Sequence, residues 1–480
     1  ANDADLSLRS LGYWTDNGAT YYYKTAASQT YPATLNAVKA DFERQGIRLG
    51  YVQLDSWFYP KGVNYDWSDG NDGIAQYVAD STLFPMGLAS FQTNLGLPLM
   101  THARWIDASS PYRQQYKVSG NVSTDPGYWS QVAAYLKGAG VAIYEQDWLS
   151  GPALTDFNLT DANSFLDNMA AAMAAQGLTM QYCMPTSRHI LQSAKYPNLT
   201  TIRGSEDRFG PTRWTNFLFA SRLIGAAGAW PFADNFLSSE TSNLLLATLS
   251  AGPVGVGDPI GTLNKANLLR AARMDGVIVK PDASITPLDS SYLAHAQSID
   301  TPMIAAASTS FGKWTAHYVF AYPEGTNRYV SFTPASLGIT GESYVYDYFA
   351  NTGSLVRPDT PIEAVIDGDS KYWVVTPAGI SGMCLLGDTG QFVTLGRTRI
   401  TSVIDDGAIH VSVAFAAGEA SRDFEGFSAA APRVAATDGS VMATAYDPST
   451  HRFRLTVAPG ADGSASVTIS RATESLGRAR

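Results

Sequence analysis

The chain has 480 residues, 45% of them hydrophobic, and a formal net charge of −10. A single core stops growing at roughly 250–300 residues, so at least two domains are expected. The acidic balance excludes a phosphate backbone or an anionic membrane surface as partner, since both want a basic face, and no apolar run approaches the roughly 20 residues of a membrane helix.

The first residues, Ala1-Asn2-Asp3-Ala4-Asp5, carry neither a basic nor an apolar leader segment. Either the protein is cytoplasmic or a signal has been removed; low Lys with much Ala, Gly, Ser and Thr leans toward export to the periplasm or the medium. From there to about residue 276, short β-rich runs alternate with helical spacing. Residues 10–14 read as a strand, followed by Leu35, Val38 and Phe42 at helical intervals before Gly46. Further strands are expected at 47–54, 97–105, 141–147, 178–184, 200–207, 226–230 and 254–258, eight in all. Between them, Asp125-Pro126 suits an N-cap and first helical position ahead of Tyr128, Val132 and Leu136. Thr160 or Asp161 suits the cap of a helix carrying Phe165, Met169 and Met173, with Gly177 beyond its end. Stretches 214–223, 244–249 and 268–273 complete the helices. Apolar strands alternating with helices make a parallel sheet covered on both faces, and eight such units make a (β/α)8 barrel over 1–290. An open doubly wound sheet is disfavoured because no Gly-rich phosphate turn follows the first strand.

Past residue 300 the runs 314–322, 328–332, 344–349, 372–376 and 411–415 are divided by Gly, Asp, Asn and Pro without intervening helices. An antiparallel β-sandwich is expected over 291–390. Residues 391–480, with runs at 453–457 and 465–469, supply further strands of the same or a second β module. Cys183 and Cys384 are too far apart for a disulfide framework. The six His offer no ligand cluster with zinc spacing, so neither metal nor cofactor is called for.

In a parallel barrel, chemistry gathers at the carboxyl ends of the strands. Those ends hold Trp14; Asp55 and Trp57; His102, Arg104 and Trp105; Glu145 and Asp147; Cys183; Arg203, Glu206 and Asp207; Trp230 and Asp234; and Asp258. Any one of them could merely close the barrel rim. Two carboxylates on one rim, Asp147 and Asp207, are what glycosyl transfer needs: one attacks or steadies C1 and the other protonates the leaving oxygen. The 11% aromatic content suits ligands that stack on flat rings. The Trp- and Tyr-rich segment 59–83 is placed to roof the pocket.

Four pieces of sequence resemble glycoside hydrolase clan D, the α-galactosidases and the raffinose synthases of the family 36 type. IYEQDW is similar to their strand-four segment of Lys, one residue, then the nucleophilic Asp. QYCMPTS is similar to the strand-five Cys-Met stretch, and TIRGSEDRFGP to Arg-x-Ser-Asp-Asp-Phe, whose acid/base lies four residues past the Arg. GPVGVGDPIGTLNKANLLRAARMDG is similar to the eighth strand and its following helix. The resemblance implies Asp147 as nucleophile and Asp207 as acid/base, with Glu206 the adjacent decoy. It implies substrate contacts from Trp14, Asp55, Arg203 and Asp234; Trp57, His102, Arg104, Glu145 and Cys183, at the same strand ends, are taken with them as substrate-binding candidates. The sequence departs from the galactose pattern at Ser56, which replaces a second Asp, and at Glu145, which replaces a Lys. Lys only donates hydrogen bonds and an ionised Glu only accepts them, so the identity of the sugar is open. Arg104, Arg188, His189 and Arg208 fall at or past the same rim, as anion binders or as neutralisers of an acidic surface.

The expected protein is a retaining exo-acting α-glycosidase that cleaves a terminal α-linked sugar from an oligosaccharide or glycoside. An α-transglycosylase would use the same pair with a sugar acceptor. A non-catalytic carbohydrate-binding barrel is the third reading; it has no need of both Asp147 and Asp207.

Overall fold

The computed structural model describes residues 5–471; Ala1–Ala4 of the N-terminal segment and residues 472–480 of the last β region lie outside the described residues. The chain divides into two compact units, one running to Ala247 with Gly252–Leu268, the other holding Thr248–Ala251 and the chain from Leu269 onward.

Eight parallel strands form the first unit: β1 (Gly12–Tyr13), β2 (Tyr51–Leu54), β3 (Leu99–Ala103), β4 (Val141–Gln146), β5 (Thr179–Tyr182), β6 (Leu199–Arg203), β7 (Trp230–Phe232) and β8 (Gly255–Val256). Their order is β8-β1-β2-β3-β4-β5-β6-β7, and a parallel bridge between Phe236 and Val256 closes the ring. Helices between them cover the outer face, so nearly every strand residue is buried. The helix Pro126–Gly138 starts as its sequence dictates: the Asp125 side chain accepts from the Gly127 N–H, and Pro126 occupies the first turn. Inside the barrel Trp14, Tyr51, Met100, Ile143, Cys183 and Phe232 form one cluster, each large apolar side chain contributing about 2 kcal/mol by leaving water. Gly255 is required beside it, because a Cβ there would lie 2.3 Å from the Trp14 ring.

All eight strands differ in their bounds from the expected runs, most by being shorter, and two of the differences bear on the site. Ala226 ends the helix Trp214–Ala226, Gly228 turns the chain at φ +90°, and the strand starts only at Trp230. Pro231 disguised it: proline lacks a donor and reads as a breaker, yet here it is the middle residue of a three-residue strand and pairs with Ile202. The sixth strand stops at Arg203, leaving Asp207 in the loop beyond it.

The second unit is antiparallel. A six-stranded sheet is built on the hairpin Met303–Phe311 and Trp314–Tyr322, turned at Gly312 with φ +63°. A two-stranded sheet, Tyr329–Phe332 with Ile362–Val365, contributes to the same core through Val330 and Phe332, which join Val319, Val345 and Trp373. Two four-stranded sheets follow. One holds Cys384–Gly387, Arg422–Phe427, Arg452–Ala458 and Ser440–Asp447; the other holds Ile400–Asp405, Ile409–Ala414, Ser464–Ser470 and Arg433–Asp438.

Candidate active site

Side chains two apart on a strand share a face, so β4 and the residue after it aim Ile143, Glu145 and Asp147 into the barrel. Asp147 is 13% exposed. Its Oδ2 accepts from His102 Nε2 at 3.1 Å, its Oδ1 from the Trp148 N–H at 2.6 Å, and the Cys183 thiol adds a third hydrogen bond. Burial alone would raise its pKa; the bond and charge of His102, the Arg203 charge and the thiol outweigh burial and hold it at about 2. His102 is itself buried. Burial disfavours its cation, but the carboxylates of Asp55, Asp147 and Glu145 prevail and raise its pKa, so Nε2–H points at Asp147 while Nδ1 meets the Tyr59 hydroxyl at 3.1 Å.

Glu145 receives a hydrogen bond at Oε2 from Gln53 Nε2, 3.1 Å. Burial, with Asp55 and Asp147 nearby, pushes its carboxyl up to about 7 against the opposing pull of His102 and Gln53. Asp55 accepts from the Ser56 N–H at 2.5 Å, the Ser56 hydroxyl at 2.7 Å and Gln53 Nε2 at 3.2 Å. Ser56 is thus a donor to Asp55 through both its N–H and its hydroxyl.

A second cluster lies at the ends of β6, β7 and β1. Arg203 Nη1 is 2.8 Å from Asp207 Oδ1 and 3.4 Å from Asp234 Oδ1. Asp207 is 44% exposed, and its Oδ2 accepts from Asn17 Nδ2 at 3.1 Å. Glu206 turns away to Arg213 and Asn216. Asp234 also accepts from the Arg208 N–H at 2.6 Å; burial raises it to about 6 although Arg203 and that N–H pull it down. Asp16 beside it is buried, and among the described residues its Oδ1 has no hydrogen-bond partner. Burial first, then Asp234, Asp55 and Glu145, raise it well above the carboxylate range, so Asp16 carries the proton of the pair.

Non-glycine residues with positive φ sit directly after Asp147, Cys183 and Asp207: Trp148 (+63°), Met184 (+48°) and Arg208 (+60°). Such backbone costs about 1 kcal/mol or more each and concentrates at working sites. Beside Arg203 and Asp207, a cavity of about 470 Å³ is bounded by Met184, Pro185 and Glu206.

The remaining sequence candidates divide. Arg104 donates to the carbonyls of Gly70 and Asp72 at 3.0 and 2.9 Å, fastening the segment after β2. Trp14 and Trp57 present no open ring: Trp14 lies in the barrel cluster with its Nε1 on Tyr51, and Trp57 stacks on Tyr31 at 3.6 Å between centroids. Arg188 bonds Asn163, and His189 caps its own helix through the Thr186 N–H. Sequence reasoning missed Asp16, Asn17, Gln53 and Lys61. Lys61 is fully buried, with Nζ donating to the carbonyls of Ser56, Tyr59 and Trp67. A signal existed for Gln53: Tyr51, Gln53 and Asp55 alternate onto the inner face, as Ile143, Glu145 and Asp147 do.

No family model and no curated protein matches the sequence. Solved structures do match in fold. A family 27 β-L-arabinopyranosidase from Geobacillus stearothermophilus aligns at 14% identity and TM-score 0.54, over 77% of this chain and 96% of that one. α-Galactosidase I from Mortierella vinacea aligns at 12% and 0.52, over 78% and 99%, and an α-galactosidase from Saccharomyces cerevisiae at 14% and 0.51, over 78% and 98%. The resemblance carried by the four motifs therefore holds at the level of fold: the chain has the barrel and β-sandwich architecture of glycoside hydrolase clan D.

Proposed function

We propose that the protein is a retaining α-glycosidase in which Asp147 is the nucleophile and Asp207 the acid/base. The observation that carries this reading is the state of Asp147: at the mouth of the barrel it is held ionised by His102, the Trp148 N–H and Cys183, within reach of the charge of an Arg203 that also grips Asp207. A nucleophile must be anionic when C1 arrives. Asp147 attacks the anomeric carbon while Asp207 gives its proton to the departing glycosidic oxygen; Asp207 then takes a proton from water, which releases the sugar from Asp147 with its original configuration. Exposure of Asp207 suits a group that exchanges protons with leaving group and water, and the cavity beside it has the volume of a small-ligand subsite.

The fold neighbours act, by their names, on α-galactosides and β-L-arabinopyranosides, two sugars of like ring stereochemistry that differ by a hydroxymethyl group. Both belong in a panel of aryl glycosides, together with α-linked glucose, N-acetylgalactosamine and uronic acid members. On the substrate that is cleaved, Asp147→Ala should lower kcat at least about a thousandfold. Added azide should restore turnover and give the glycosyl azide of opposite configuration. Turnover of Asp147→Ala at the parent rate, or a first-formed sugar of inverted configuration, refutes the assignment.

A further inference from the structure

Three carboxyl groups, Asp55, Glu145 and Asp147, converge inside the barrel, and the donors around them are unevenly shared. Asp147 receives three hydrogen bonds, from His102, the Trp148 N–H and Cys183. Asp55 also receives three, from the Ser56 N–H, the Ser56 hydroxyl and Gln53. Glu145 receives one, from Gln53, and among the described residues nothing meets its Oε1. The Gln53 amide cannot be turned round to change this, because its Oε1 accepts the Thr15 N–H at 2.9 Å. Nε2 must face the acids, and it serves Asp55 and Glu145 together.

A buried carboxyl group with one neutral donor, beside two that each have three donors, is the member of the trio that keeps a proton. The other titratable groups around Glu145 do not reverse this. The His102 cation favours ionisation but directs its Nε2–H to Asp147, while Asp16, Cys183, Tyr51 and Tyr77 contribute no positive charge.

We propose, on the strength of the glycosidase reading, that Glu145 acts as a neutral carboxylic acid whose Oε1–H donates a hydrogen bond to a hydroxyl of the sugar bound against Asp147. The acid then supplies the donor that an ionised Glu at this position would lack. Ligand recognition becomes dependent on one proton: as pH rises through about 7 the donor disappears and a third anion forms beside Asp55 and Asp147. Below that pH Glu145 donates to the sugar hydroxyl; above it, the carboxylate can only accept.

The test has one arm that needs no substrate. Infrared difference spectra of wild type and Glu145→Gln, recorded across pH 5–9, should reveal a protonated carboxyl band that titrates near 7 and is lost in the variant; subtraction removes Asp16 and Asp234, which are common to both. The second arm is the pH profile of kcat/KM on the aryl glycoside that is cleaved best. Wild type should fall about tenfold per pH unit above 7. Glu145→Gln, whose amide keeps a donor at every pH, should lack that fall and stay within about tenfold of wild type at pH 6, whereas Glu145→Leu should lose more than about tenfold throughout. No Glu145 band below pH 7, or the same alkaline fall in Glu145→Gln, overturns the proposal. A titrating band in a protein that cleaves no glycoside overturns the glycosidase reading and leaves the proton on Glu145 standing.

Discussion

At the scale of single residues, His102 is the side chain on which the electrostatics of the site turn. It sits between the Tyr59 hydroxyl and Asp147 and is the principal reason that a buried aspartate is ionised. In His102→Asn the charge goes and a neutral donor is left, so the Asp147 pKa must climb from about 2. The acid limb of kcat/KM then moves toward neutral pH by one unit or more, with kcat down about 10- to 100-fold at pH 6. An acid limb unmoved in His102→Asn would show that His102 packs and does nothing more. Glu145 makes the opposite contribution to stability. Its folded pKa of about 7 exceeds the ordinary Glu value of 4.5, so between those pH values the folded state binds more protons than the unfolded one. Its contribution is complete below about 4.5 and is lost as pH rises through 7, a change of about 3 kcal/mol. Urea denaturation of wild type and Glu145→Gln, compared at pH 4.5 and pH 8, should show wild type losing ground by about that amount; parallel pH dependences would mean an ionised Glu145.

At the scale of elements, the strands were legible wherever an apolar run closed on polar residues. The stretch Trp314–Tyr322 was found whole, and the ends of β2, β3 and β4 placed Asp55, His102, Glu145 and Asp147 together, because a period of two decides which residues face inward. What stayed hidden depends on closure of the ring. Asp16 and Asn17 lie just past β1, and only the neighbouring ends of β6 and β7 give them Asp234 and Asp207 as partners. Lys61 lies in the segment after β2, and folding makes it the anchor of that segment. Its Nζ reaches carbonyls at 2.7, 3.1 and 2.5 Å and lies 5.1 and 5.0 Å from the ring centres of Tyr23 and Tyr59. Burial, then the Arg104 charge, lowers its pKa to about 7. Lys61→Met keeps the stem and orphans three carbonyls, which should cost about 2–4 kcal/mol. Amide exchange over residues 62–74 should accelerate at least about tenfold, since the segment loses its central tie. Unchanged exchange there would mean that Arg104 alone fastens the loop through Gly70 and Asp72.

At the scale of the whole molecule, two units with separate cores are expected to melt in more than one step, and the second unit depends on a buried charge network that the first does not share. Arg399 is fully buried. It holds Glu419 through two bonds of 2.7 and 2.8 Å, donates to the Ala414 carbonyl at 2.8 Å, and lies 3.3 Å from Asp388, which Arg422 also grips at 2.8 Å. Burial raises the Asp388 pKa even with Arg422 and Arg399 opposing it, so these cations are needed to keep its charge. Such a network adds little compared with an apolar core of equal volume, but removing one member strands its partners. Arg399→Met should therefore cost about 3–5 kcal/mol and lower the calorimetric transition of this unit by about 6–20 °C. Pairing it with Glu419→Leu removes the stranded anion along with the cation and should recover more than half of that loss. If the double variant is as unstable as the single one, the damage comes from lost packing around the Arg399 stem, and the charges of Glu419 and Asp388 are already satisfied by the Ala416 N–H and Arg422.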